Sequence, residues 1–137
     1  MLYDVRYNRL WVVNRPDSDT LICMPGGKTE EGENAMQTVL REVREETGYV
    51  FQKEQMLKLY EGVCQGDVDY NTVAFVAFVN ENPPGGIEPG LTCRAVTVDE
   101  WMQTSAFKEY DAKVLESFKR YFNAAHIEFI RTNLKGS

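Results

Sequence analysis

The stretch Gly27–Tyr49 constrains this chain more than any other part of its sequence. Gly27 is followed by Glu33 and then, at residues 41–46, by the run Arg-Glu-Val-Arg-Glu-Glu. Residues 34–47 contain no proline or glycine, and Gly48 supplies a natural stop. The stretch therefore predicts a glycine turn that leads into a helix ending at Thr47.

The predicted helix has two neighbouring faces of different character. At about 100° per residue, one arc collects the apolar side chains of Ala35, Met36, Val39, Leu40 and Val43. The next arc collects Glu42, Glu45 and Glu46, because positions i, i+3 and i+4 share a face. Carboxylates this close repel one another unless a cation lies between them. A hard divalent cation such as Mg²⁺, which takes oxygen ligands and keeps exchangeable waters, meets that need.

A solvated helix face laced with surface ion pairs is the alternative interpretation of this run, and most such runs are of that kind. Two features favour a site instead. The acids lie beside the apolar arc rather than opposite it, and a glycine turn precedes the helix. Arg41 lies four residues before Glu45, so it can pair with that carboxylate and hold its position.

The whole stretch resembles the Nudix box, Gly-x5-Glu-x7-Arg-Glu-U-x-Glu-Glu-x-Gly-U, in which U is a bulky apolar residue. Every specified position is filled, with Tyr49 at the last apolar place. The resemblance implies an α/β fold of the Nudix type, an α/β/α sandwich with a mixed β-sheet. It extends over nearly the whole chain, which we expect to form a single domain over residues 1–137.

For individual residues the resemblance implies a site for Mg²⁺ or Mn²⁺. Glu45 and Glu46 would be the main ligands, with the carbonyl of Gly26 beside them. Glu42 would bind the cation, directly or through water, or act as the general base. Catalytic roles thus fall to Glu42, Glu45 and Arg41.

Three further residues are candidates for this site. Lys28 lies on the glycine turn, and the resemblance implies that it faces a substrate phosphate. Glu88 lies on a later loop and fits either an additional metal ligand or a solvated loop residue. Glu33 begins the helix, where a carboxylate is favoured by exposed amides, and fits a supporting role as well as direct ligation.

The implied activity is hydrolysis of the pyrophosphate bond of a nucleoside diphosphate linked to another moiety. The prolines and tyrosines that mark ADP-ribose and dinucleoside-polyphosphate hydrolases beyond the box are missing, which leaves MutT-like cleavage of a (d)NTP to a nucleoside monophosphate as the leading prediction. ADP-ribose, a dinucleoside polyphosphate or a nucleotide sugar is the alternative substrate. A non-catalytic nucleotide sensor fits less well, since such modules typically lose the glutamates. Candidates for stacking on the base are Tyr3, Tyr7, Tyr70 and Phe75.

Composition and charge exclude several classes of protein. The net charge of −6, with no basic cluster, argues against an extended nucleic-acid surface and leaves a small nucleotide as the expected partner. No apolar run is long enough to cross a membrane, and no signal peptide is recognisable. Cys23, Cys64 and Cys93 are odd in number and widely spaced, which predicts reduced thiols in a cytoplasmic protein. His126 is expected at the surface, and a homodimer is compatible with the sequence.

The rest of the chain alternates between extended and helical patterns. Strands are predicted at residues 2–7, 10–14, 21–24, 57–63, 72–79 and 94–98, the first two as a hairpin about Asn8 and Arg9. The resemblance implies a short helix after residue 98. Helical spacing predicts a closing helix that packs Val114, Leu115, Phe118, Tyr121 and Phe122. The tail from Asn123 either continues that helix or docks loosely. The first strand is short for a Nudix domain, so we expect one edge of the sheet to be less covered.

Overall fold

The structure is a computed structural model that describes residues 1–14, 18, 20–26, 29–65 and 69–134. The strands are β1 (Leu2–Asp4), β2 (Arg9–Asn14), β3 (Ile22–Cys23), β4 (Leu57–Cys64), β5 (Tyr70–Val79) and β6 (Cys93–Val96). The α-helices are α1 (Ala35–Thr47), α2 (Val98–Thr104), α3 (Lys108–Tyr121) and α4 (Ala124–Asn133), and a 3₁₀ turn covers Lys53–Gln55. Each predicted strand and helix is present, with shifted ends.

The six strands form one mixed sheet in the order β3-β2-β1-β5-β4, with β6 also paired to β2. The predicted hairpin of β1 and β2 is confirmed, and Asn8 adopts a left-handed φ of 53° in its turn. Strand β1 runs parallel to β5, and β5 runs antiparallel to β4. The short first strand therefore lies inside the sheet between β2 and β5. Our expectation that it leaves an edge less covered is wrong, because the parallel pairing with β5 covers it.

Alternation along β5 divides the core into two layers, since successive strand residues point to opposite faces. On one face, Ala74 and Val76 belong to a cluster that includes helix residues Trp101, Val114, Phe118 and Ile127. On the other face, Phe75, Ala77 and Val79 pack with Val43 of α1. Helices thus cover both faces, which confirms the α/β/α sandwich with a mixed sheet.

Helix α1 forms as the sequence predicts because both of its ends are capped. The Asn34 side chain accepts a hydrogen bond from the Gln37 amide at 2.8 Å, and the Gln37 side chain accepts one from the Asn34 amide at 2.9 Å. Gly48 ends the helix with a left-handed φ of 83°. The predicted apolar arc packs on the sheet, with Val43 buried and the other four members partly buried.

The C-terminal segment departs from both sequence expectations. Asn123 caps a separate helix, α4, and the His126 side chain closes this cap by accepting from the Asn123 amide at 3.1 Å. Ile127 is buried, and Arg131 donates to the Val5 carbonyl at 2.5 Å, so α4 is firmly docked. Within the closing helix α3, Tyr121 is 55% exposed, so its predicted packing role is wrong. The helix ends at that residue, and the neighbouring Phe122 packs on the cluster instead.

Two further expectations concern the cysteines and membranes. Cys64 is buried, Cys23 and Cys93 are half-buried, and no disulfide joins any of the three. Among the described residues, no helix combines the length and the apolar character that crossing a bilayer requires.

Asp111 is a buried polar anchor between two of the helices. Its carboxylate accepts hydrogen bonds from the Trp101 indole N–H at 3.0 Å and from the Ser105 hydroxyl at 2.5 Å. These bonds tie α3 to α2 and to the residue that follows it. Burial raises the pKa of Asp111, while the two hydrogen bonds oppose that shift.

Replacing Asp111 should therefore lower stability in a way that depends on the substitute. Asp111→Ala strands two buried donors and should reduce the free energy of unfolding by about 2–4 kcal/mol, measured by urea denaturation. Asp111→Asn keeps an acceptor oxygen and should cost less.

The pH dependence provides an independent check on the same residue. Because the folded pKa of Asp111 lies above its ordinary value of 3.8, the protonated carboxyl favours the folded state, and its contribution is lost as pH rises through the folded pKa. The wild type should therefore lose stability relative to Asp111→Asn as pH rises above 3.8, the ordinary pKa of the carboxyl. A constant difference between the two chains would contradict this assignment.

Candidate active site

Three carboxylates converge on one point beside α1. Glu42, Glu45 and Glu88 each offer an oxygen, and these oxygens all lie within 4.8 Å of one another. Glu42 and Glu45 come from α1, as their spacing predicts, whereas Glu88 comes from the loop between β5 and β6. The fold thus brings Glu88 to the predicted site, which the sequence alone left open. We call these three residues the glutamate cluster.

Glu46 lies beside the cluster but is buried, with 6% of its surface exposed. Its Oε1 accepts a hydrogen bond from the Gly26 amide at 2.8 Å. Burial raises the pKa of Glu46 to about 8, and the negative charges of the three cluster glutamates add to the rise, against the opposing effect of the Gly26 amide. Glu46 therefore favours its protonated form at neutral pH unless a cation offsets its burial and the neighbouring carboxylates.

The glycine turn is described up to Gly26. Its amide donates to Glu46, as given above. A contact between its carbonyl and a metal stays a prediction. Gly27 and Lys28 lie outside the described residues. The predicted role of Lys28 toward a substrate phosphate likewise stays a prediction.

Arg41 links the cluster to the start of the helix. Its guanidinium binds Glu33 through two hydrogen bonds, Nε to Oε2 at 2.7 Å and Nη2 to Oε1 at 3.0 Å. Its Nη1 contacts Glu42 at 2.7 Å and Glu45 at 3.3 Å. The predicted pairing with Glu45 is present, but it is the longest of these contacts. Arg41 is thus held by Glu33 while it holds two cluster carboxylates.

Glu33 is committed to this network. Besides Arg41, its carboxylate accepts from the Glu30 amide at 2.9 Å and from the Thr38 hydroxyl at 3.1 Å. The Arg41 guanidinium and the Glu30 amide hold the pKa of Glu33 down, at about 2. Of the two roles that the sequence leaves open for Glu33, these contacts favour support of Arg41 over direct ligation of a metal.

A cavity of about 690 Å³ adjoins the cluster. Its wall includes Glu42, Glu46 and Glu88, together with the apolar or aromatic side chains of Met24, Val39, Phe75, Phe107 and Tyr110. This volume is in the range of small-molecule sites, which combine an apolar wall with a few convergent polar groups. The cavity can therefore take a ligand that carries both an anionic part and a flat apolar part.

Of the four candidate stacking residues, two line the cavity and two lie elsewhere. Tyr70 and Phe75 line it. Tyr3 instead stacks on Phe118 in the core, with ring centroids 5.2 Å apart, and Tyr7 is 61% exposed. The sequence analysis did not identify Asn71, Asp111 or Tyr110 as residues of the wall. No local motif marks them, because the fold brings them there from β5 and α3.

The donor set of the cluster fits a divalent cation. Bonds of about 2.1 Å from Mg²⁺ to oxygen place ligand atoms about 3–4 Å apart. The three carboxylate oxygens lie within 4.8 Å of one another, so one cation can reach all of them after small side-chain movements. Hard oxygen donors select Mg²⁺ or Mn²⁺ over softer metals. A cation here would also offset the burial of Glu46 and the repulsion from its neighbouring carboxylates, which together raise its pKa.

Arg41→Lys tests the network around the cluster. A lysine ammonium cannot reproduce the two-pronged contact with Glu33 while also reaching Glu42, so the carboxylates should lose their alignment. We expect the affinity for Mn²⁺, measured by electron paramagnetic resonance without nucleotide, to fall roughly tenfold. Arg44→Lys is the matched control, because Arg44 lies on the same helix with an exposed side chain. Equal Mn²⁺ affinity in the two variants would contradict the assigned role of Arg41.

Comparisons with known proteins agree with the fold. The NUDIX domain of Shewanella oneidensis NrtR, complexed with ADP ribose, superposes with a TM-score of 0.71 at 18% identity, covering 88% of this chain and 84% of that one. A Caenorhabditis elegans Ap4A hydrolase gives 0.66 at 13% identity, with coverages of 88% and 96%. MutT, from work on Aliivibrio salmonicida and Vibrio cholerae, gives 0.62 at 17% identity, with coverages of 85% and 88%.

At these identities the solved structures show the fold alone. A search of curated protein sequences finds no match. The decisive comparison is with the NUDIX domain family, which matches residues 1–123 and thus most of the chain. The chain belongs to the NUDIX family and is a Nudix hydrolase.

Proposed function

We propose that this chain hydrolyses the pyrophosphate bond of a (d)NTP or a related nucleotide, with Mg²⁺ or Mn²⁺, and releases a nucleoside monophosphate. The observation that carries the proposal is the convergence of Glu42, Glu45 and Glu88 beside a cavity of about 690 Å³. This arrangement puts a candidate cation site next to a space that can hold the base and sugar.

The same observation supports an enzyme over a nucleotide sensor. A sensor needs affinity for its ligand, whereas hydrolysis needs oriented carboxylates that bind a cation and accept a proton. Here three carboxylates are grouped, and Arg41 fixes two of them.

In the proposed mechanism, Glu42, Glu45 and Glu88 would hold the cation. Glu46, the other predicted ligand, would join them once it loses its proton. When bound, the cation would neutralise phosphate oxygens and lower the pKa of a water molecule at the site. Arg41 keeps Glu42 and Glu45 aligned through Nη1, and the Gly26 amide keeps Glu46 in place. Either Glu42 or Glu45 accepts the proton of the attacking water as it approaches phosphorus in line. The phosphoanhydride bond opposite the water then breaks, which separates the nucleoside monophosphate from pyrophosphate when the substrate is a (d)NTP.

The nucleobase would occupy the apolar part of the cavity. Tyr70 and Phe75 line that space, and either ring can stack on a base. The missing marker residues of ADP-ribose and dinucleoside-polyphosphate hydrolases support a (d)NTP as substrate. ADP-ribose, dinucleoside polyphosphates and nucleotide sugars are the competing substrates in the test. A homodimer remains a prediction.

A substrate panel with and without metal tests the proposal directly. The purified chain is assayed with each (d)NTP, ADP-ribose, dinucleoside polyphosphates, nucleotide sugars, NADH and CoA in Mg²⁺, in Mn²⁺ and in excess EDTA. We expect turnover of a (d)NTP at millimolar metal and none in EDTA, because the substrate phosphates complete the coordination of such cations. Full activity in EDTA would rule out the metal mechanism, and preference for another class would reassign the substrate.

Charge removal at two glutamates tests their roles. Glu45→Gln and Glu46→Gln keep the shape of the side chain, but a glutamine cannot carry the negative charge that faces a bound cation. We expect kcat to fall roughly 10²-fold or more in each variant. Circular dichroism spectra should show that both variants keep the wild-type fold. Glu116→Gln on α3 is the control, because Glu116 is exposed and makes only a 3.6 Å surface contact with Arg120. A near-normal kcat in Glu46→Gln would show that its charge does not serve the reaction.

A further inference from the structure

The loop that carries Glu88 is joined to the last turn of α1 by main-chain hydrogen bonds. The amides of Ile87 and Glu88 both donate to the Glu45 carbonyl, at 2.8 and 3.0 Å, and the Gly85 amide donates to the Thr47 carbonyl at 3.0 Å. Carbonyls in the last turn of a helix have no partner within the helix. Residues 85–88 therefore supply the missing donors; we call them the docking loop.

Two glycines allow this close approach, one on each side. A Cβ on Gly86 would lie 2.5 Å from the carbonyl oxygens of Glu45 and Glu46, and one on Gly48 would lie 2.3 Å from the Gly85 oxygen. All of these atoms belong to the main chain, so no side-chain rotation can relieve the overlap. Gly48 also needs its left-handed φ of 83°. Gly86 has no left-handed φ, so the contact itself is what requires a glycine there.

The docking loop contributes little to the hydrophobic core. Residues 84–90 are exposed, and Ile87, the large apolar side chain of the docking loop, is 71% exposed. The amide of Glu88 instead donates to the Glu45 carbonyl, and a carboxylate oxygen of Glu88 lies within 4.8 Å of one of Glu45. The position of Glu88 is thus set by the backbone of another cluster member.

We propose that Gly86 is a positioning residue of the active site: by letting the docking loop contact the end of α1, it sets the distance between the carboxylates of Glu88 and Glu45. The inference rests on the proposed function in that these carboxylates bind the cation. Gly86 itself touches neither substrate nor metal. An added methyl group should push the loop away from the helix and carry Glu88 out of the cluster.

The first test compares two added methyl groups in one loop. A Cβ on Gly90 meets nothing within 4 Å, although its φ of 81° makes alanine strained, so Gly90→Ala controls for general strain in the loop. For Gly86→Ala we expect the dissociation constant for Mn²⁺, measured without nucleotide, to rise roughly tenfold. Gly90→Ala should bind Mn²⁺ as the wild type does. A folded Gly86→Ala with wild-type affinity would overturn the proposal.

A double-mutant cycle separates positioning from a loss of folding. Glu88→Gln should weaken Mn²⁺ binding in the wild-type and Gly90→Ala backgrounds. It should have little further effect in Gly86→Ala, because Glu88 has already left the cluster. Additive losses from Gly86→Ala and Glu88→Gln would show that the glycine acts independently of the glutamate, and would overturn the proposal.

A second pair of variants decides the matter if Gly86→Ala does not fold. Ile87→Pro removes the N–H that donates to the Glu45 carbonyl, whereas Ile87→Ala keeps that N–H and trims only an exposed side chain. Ile87→Pro should weaken Mn²⁺ binding roughly tenfold, and Ile87→Ala should not. Equal affinities in the two variants would overturn the proposal.

These measurements also distinguish a failure of the proposal from a failure of the proposed function. Mn²⁺ affinity requires no substrate, so a chain that hydrolyses none of the nucleotides but binds Mn²⁺ in a Gly86-dependent way supports the positioning role alone. Conversely, an active chain whose Mn²⁺ affinity is unaffected by Gly86→Ala and by Ile87→Pro retains the function and loses the positioning role.

Discussion

The mutual repulsion of carboxylates on one side of α1 is the constraint on which the site depends. Three glutamates of this helix and Glu88 are brought together, and burial adds its own penalty at Glu46. The protein offsets this partly with Arg41, whose guanidinium reaches Glu33, Glu42 and Glu45. Within the described part of the site, Arg41 faces more acids than its single charge can balance. A divalent metal and the phosphates that accompany it are the natural completion.

The two ends of α1 serve the site in different ways. At the start, Glu33 binds the guanidinium of Arg41. The capped first turn therefore anchors Arg41, which aligns Glu42 and Glu45. At the end, the exposed carbonyls accept the amides of the docking loop, which brings Glu88 within reach. Features that end a helix in any protein thus also assemble a candidate metal site here.

Features of the site that depend on residues close together in sequence could be predicted, whereas features that depend on distant segments could not. The bounds of α1, its apolar arc and the grouping of Glu42 with Glu45 follow from helix periodicity and capping residues. The choice of Glu33 as the main partner of Arg41 depends on how the preceding turn folds back, which periodicity does not encode. The meeting of Glu88 with the helix depends on contacts between segments far apart in sequence. The same limit explains the misjudged position of β1, because its pairing with β5 is long-range.

The interior position of β1 also shapes how the chain must fold. Leu2 pairs with Ala77 on one side and with Trp11 on the other, so a strand of three residues joins two parts of the sheet. The hairpin of β1 and β2 can form early, but one edge of it stays unpaired until β5 is available. The chain must lose the entropy of closing the long loop between β1 and β5 before the parallel ladder gives any stabilisation. This order slows folding and leaves the unpaired edge of β1 open to wrong partners. The sheet that carries the site is therefore completed only when distant parts of the chain meet.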